Sequence, residues 1–86
     1  MSSYETTLGT IRCNTNKATV AALLFSCGLS AEPSGEPHHF DIVSRGRDNE
    51  PEVDLDLWEL ALAKLSSAER EGAISAWAIV SDNSRS

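Results

Sequence analysis

Two stretches of the chain alternate apolar and polar residues, and two others repeat their apolar residues at helical spacing. Residues 4–13 are rich in Thr and in β-branched or aromatic side chains, the composition of a strand. Tyr4, Thr6 and Leu8 share one parity, Ile11 and Cys13 share the other, and Gly9 stands between the two sets. A bulge at that glycine would bring Leu8 and Ile11 to the same side. Residues 38–45 alternate again. Phe40 and Ile42 fall with His38 and Ser44, while His39, Asp41, Val43 and Arg45 fall opposite. That pattern predicts a half-buried strand.

Asn14-Thr15-Asn16 offers short polar side chains that can accept hydrogen bonds from the free N–H groups of a helix start. The spacing predicts a helix over 17–27, with Gly28 as its left-handed stop. This helix is apolar nearly all round, which predicts a central position. Residues 30–37 read as a loop, broken by Pro33, Gly35 and Pro37. Gly46-Arg47-Asp48-Asn49 turns the chain away from the second strand. A second helix is predicted over 54–65, where Leu55, Trp58 and Leu62 form a stripe widened by Ala61 and Leu65. Asp54, Asp56 and Glu59 near its start and Lys64 near its end match the helix dipole.

Residues 66–81 fit two descriptions. Ser66 and Glu69 have capping-box spacing, and Ile74, Trp77 and Val80 follow at helical spacing. Gly72 interrupts that pattern, and the run from Ala73 to Val80 also suits a strand. The helix is favoured. Residues 1–3 and 82–86 read as frayed tails. The expected fold is a small, single α+β domain ordered β–α–β–α, with a fifth C-terminal element, helical rather than extended.

Composition narrows the function classes. An 86-residue chain that is 41% hydrophobic should fold, but only around a small core. Partner binding or self-association would brace it. A net charge of −6 argues against a general nucleic-acid binder and against docking on an anionic membrane. Cys13 and Cys27 fall at opposite ends of the first helix, about 15 Å apart at 1.5 Å per residue. A disulfide tolerates about 4.4–6.8 Å between Cα atoms, so two free thiols are expected, in keeping with a reducing cytoplasm. The stretch from Lys17 to Cys27 also resembles the end of a bacterial lipoprotein signal, with a charge, a short apolar run and a small residue before the cysteine. Glu5 in the leading region and Phe25 near the cysteine depart from that pattern, and the helix reading is preferred.

The strongest chemical feature is an acidic run. Asp48, Glu50, Glu52, Asp54, Asp56 and Glu59 carry six carboxylates with no Lys or Arg among them. Residues 1–29 hold one acid and two bases, a net of +1, whereas residues 30–86 hold twelve acids and five bases, a net of −7. Charge segregated in this way can steer and select a basic partner. It also suits a solvated helix start. Counted from Asp48, the run resembles a calcium loop in acid spacing, but Val53 stands where the sharp turn needs glycine, and Pro51 is foreign to the pattern. His38 and His39 face opposite ways on a strand, and with Cys13 and Cys27 they lack the close pairs of structural zinc sites. Cys27, His39 and Asp41 supply nucleophile, base and acid by residue type alone. The glycines are scattered singly, with no phosphate loop. Trp58 and Trp77 lie on apolar stripes and read as core.

The expected function is therefore a small acidic, cytoplasmic protein-binding module. It would act as an inhibitor or modulator that docks its carboxylates on a protein with a basic surface, such as one that handles nucleic acid. No enzyme activity, cofactor, metal, direct nucleic-acid contact or membrane contact is expected. The alternative is a structural or accessory subunit that self-associates, with no inhibitory role.

Overall fold

In a computed structural model, which describes residues 4–46 and 51–83, the first strand forms as its two parities require. Strand β1 (Tyr4–Cys13) pairs antiparallel with β3 (His39–Gly46). Thr7 lies opposite Val43 and Gly9 opposite Ile42, so Leu8 is the extra residue of a bulge. The bulge puts Leu8 and Ile11 in the core together. Helix α1 (Lys17–Phe25) starts at Asn16, whose side-chain oxygen accepts from the Thr19 N–H at 2.9 Å. Gly28 follows its last turn with φ +78°, which a residue without Cβ adopts at no cost.

Two elements differ from expectation. Residues 30–37 are not all loop: Leu29–Pro33 form strand β2, paired antiparallel with β3. Leu29 and Ala31 point into the core while Ser30 and Glu32 alternate outward. The strand is at the sheet edge, where Pro33 needs no ladder partner for its missing N–H. The second helix, α2, runs over Pro51–Arg70, beyond the expected 54–65. Ser66 is inside it and caps nothing. The helix stops at Gly72 (φ +79°), where the Ala73 N–H donates to the Ala68 carbonyl at 2.9 Å and the Gly72 N–H to the Glu69 carbonyl at 3.1 Å. That double closure is a Schellman stop. It ends the helix and frees the chain to re-enter the sheet as β4 (Trp77–Asp82), so the expected C-terminal helix is instead a strand. Asp82 belongs to this strand and the Asn83 N–H donates to the Leu8 carbonyl, so these two residues are not a frayed tail.

The element order is thus β–α–β–β–α–β, and the sheet order is β2-β3-β1-β4, antiparallel throughout. Each βαβ unit leaves room for one strand of the other: β3 lies between β1 and β2, and β1 lies between β3 and β4. This is the ferredoxin-like split βαβ topology. One face of the sheet carries Ile11, Cys13, Phe40, Ile42, Leu29 and Ala31. Against it pack Val20 and Leu24 of α1, and Trp58, Ala61, Leu65 and Ala68 of α2. Trp58 is fully buried and Trp77 packs partly buried on the same core, in line with the stripes.

The placement of α1 corrects another expectation. Although apolar nearly all round, it is a surface helix. Only Val20 and Leu24 are buried, while Ala18, Ala22 and Phe25 are exposed. With both helices on one side of a single sheet, a helix of nine residues has one neighbour face to cover and leaves its outer side to solvent.

Candidate functional site

Of the acidic run, Asp48 and Glu50 lie outside the described residues, and Glu52 stands in the first turn of α2. Asp54, Asp56 and Glu59 are all carried by α2. Pro51 heads this helix, a position that suits its fixed φ and absent N–H. Asp56 and Glu59 are exposed and three residues apart, hence neighbours on one helical face. Asp54 is half-buried, and its Oδ1 is buried with no hydrogen-bond partner among the described residues. The dipole of the helix N-terminus favours Glu52 and Asp54 at its start and has faded by Asp56 and Glu59, which lie beyond the first turn. Because α2 is helical from Pro51 onward, residues 51–59 do not wrap as a calcium loop does.

The sheet face away from the helices is mostly polar, with Val43 buried on it outside the main core. Thr10 Oγ1 donates to Asp41 Oδ1 at 2.6 Å between paired strands. Arg12 lies opposite His39, and Glu32 opposite Asp41. Neither Phe nor Trp stands on this face among the described residues. It differs in that from the aromatic sheets that stack single-stranded bases.

The remaining candidates do not assemble. Both cysteines are free, Cys13 buried and Cys27 half-buried. The Cys13 thiol is 3.9 Å from the Ser75 carbonyl and 3.7 Å from the Ser75 hydroxyl. Cys27 packs against the core on the helical side, whereas His39 and Asp41 occupy the opposite face of the sheet. His39 Nδ1 is 2.8 Å from the Pro37 carbonyl oxygen, and His38 sits at φ +65° in the turn before β3. Cys27, His39 and Asp41 are therefore not a triad. Among the described residues no three His, Cys, Asp or Glu side chains gather as a metal site would require. No helix among them is long and apolar enough to cross a membrane.

Two features escaped the sequence reading. A shallow groove of about 510 Å³ runs along the outer side of α1, lined by Ala18, Ala22, Leu23 and Lys64 among others. Phe25, on the same helix, is 81% exposed. The second feature is β4, whose Ile79 and Val80 are exposed at the end of the sheet. The signal for the first was present, since nine residues without a polar face must show apolar surface unless covered on every side. No protein-family model, curated protein or solved structure matches this chain.

Proposed function

We propose that the chain is a small protein-binding module that docks the carboxylates of residues 48–59 on a partner with a basic surface, as an inhibitor or modulator. A protein that handles nucleic acid is the commonest owner of such a surface. The supporting observation is the exposed pair Asp56 and Glu59 on one face of α2, at the helical end of a run without a basic residue. A helix fixes these charges relative to one another, so the module presents a pattern rather than a diffuse acidic tail. The free thiols of Cys13 and Cys27 are in keeping with a cytoplasmic setting.

The test is capture from source-cell lysate with the parent chain and with a Glu50→Gln/Glu52→Gln/Asp56→Asn variant as bait. The reading expects a basic protein that binds the parent and not the variant. Its on-rate should fall steeply with salt, because the screening length shortens from about 30 Å at 0.01 M to about 8 Å at 0.15 M ionic strength. Equal on-rates and equal salt slopes for parent and variant would leave the run as a solvated surface only.

A further inference from the structure

We propose that the groove beside α1 docks an amphipathic helix of another protein, one that carries carboxylates on the flank of its apolar face. The groove lies between the two helices, with Ala18, Ala22 and Leu23 of α1 on one side and Lys64 of α2 on the other. Ala18, Ala22 and Phe25 are the exposed apolar residues of α1, and they fall at i, i+4 and i+7. That spacing draws a single stripe along the helix, the pattern by which one helix seats against another. The groove is also shallow, whereas sites for small molecules enclose most of their ligand. A helix needs only a stripe to lie on.

Lys64 chooses among helices. It is the one charged residue lining the groove among the described residues, and it is exposed. No carboxylate lines the groove beside it, in a chain with thirteen acids against seven bases. An apolar helix with carboxylates on its flank therefore meets a cation here and no like charge. No residue of 48–59 lines the groove, so this docking is separate from that of the acidic run.

A second copy of this chain does not fit the description. Its α1 has Lys17 as its one charge and brings no carboxylate to Lys64. Its α2 has carboxylates, but Leu60 is the one large apolar residue exposed on it among the described residues, too little to cover the stripe. The occupant is a helix with both features together.

Two capped peptides of about 18 residues, long enough to hold a helix, test the proposal. Both repeat leucine at i, i+3, i+4 and i+7, and one flanks that stripe with glutamate where the other has glutamine. Each is titrated into the full chain at physiological salt, and the backbone amide chemical shifts locate the contact. The glutamate peptide should shift Ala18, Ala22 and Phe25 and bind roughly threefold or more tighter than the glutamine peptide. The net charge of −6 predicts the reverse order, so the result separates the groove from the field of the whole chain. Lys64→Glu should invert the preference. Phe25→Ser should weaken both peptides and leave Tm unchanged, since that side chain is 81% exposed. No shift at α1 with either peptide overturns the proposal. Equal binding of the two peptides, or a preference that Lys64→Glu leaves in place, overturns it as well. Dodecanoate is the small-amphiphile control: shifts at α1 with dodecanoate and with neither peptide would make the groove a site for a lipid chain and overturn the helix as its occupant.

Discussion

Gly9→Ala adds a single methyl group, and the structure places it against three atoms that have little room to give. A Cβ at this position lies 2.6 Å from Trp58 Cη2, 2.9 Å from Trp58 Cζ2 and 2.6 Å from the Ser81 carbonyl oxygen. Ordinary contact begins at 3.4 Å, so the gap must open by about 0.8 Å. Gly9 does not sit in the left-handed region, so alanine suffers no backbone penalty and the cost is steric alone. On one side the obstacle is a fully buried indole, and on the other the backbone of β4. Overpacking of a close-fitted core costs about 1–3 kcal/mol. For a domain of this size about 2 kcal/mol lowers Tm by roughly 10 °C. Thermal unfolding followed by circular dichroism measures it. Trp58→Phe removes both crowding ring atoms, so the double variant should cost about 1 kcal/mol less than the sum of the singles. The Ser81 oxygen stays, so rescue should be partial, and β4 amides should exchange faster in Gly9→Ala. An unchanged Tm, or strictly additive costs, would refute the close packing of Gly9 beneath Trp58.

Trp58→Ala should destabilise the chain by about 3–5 kcal/mol, comparable with the whole stability of a small domain, as read by urea denaturation. A variant that melts like the parent but loses a partner would make Trp58 an interface anchor instead. Gly72→Ala should cost about 1–2 kcal/mol through the left-handed φ of +79°, since a Cβ there meets nothing within 4 Å. Gly72→Asn, which tolerates that region better, should cost less. Thiol labelling without reductant should modify Cys27 quickly and Cys13 only on unfolding, with two thiols counted in denaturant. A bridged monomer would contradict the strand–helix geometry.

What the sequence disclosed, and what it hid, follows from the strength of each element's apolar signal. The β1 bulge was legible because a glycine separates two clean parities. The core stripe of α2 was legible because Trp58, Ala61 and Leu65 repeat over several turns. Strand β2 was hidden because its inward residues are Leu29 and Ala31 alone, and the proline that breaks an interior strand is harmless at an edge. Strand β4 was hidden by coincidence. Ile74, Trp77 and Val80 repeat every three residues, while the strand's alternation of Trp77 with Ile79 is broken by the bulge after it. All-round apolarity in α1 suggests burial, but apolar residues on a helix do not say whether anything covers them. Of the candidate site, the charges were legible and the helix that carries Asp54, Asp56 and Glu59 was too. Which of them face solvent was not, because exposure depends on how α2 rolls on the sheet.

The placement of β1 between β3 and β4 also sets the order of assembly. The strand made first needs, as one neighbour, the strand made last: Cys13 pairs with Trp77 and Gly9 with Asp82. At translation rates of about 5–20 residues per second, the interval between making Cys13 and making Asp82 lasts roughly 4–14 s. During that time β1 can dock on β3, but its other side offers bare backbone groups beside Leu8 and Ile11. A nascent chain halted before Trp77 therefore presents a central strand, with Leu8 and Ile11 on it, as an open edge where the folded sheet presents β4. Arrested or clipped chains should cluster far more readily than the complete one, and a factor that shields this strand during synthesis would act there rather than on the native fold.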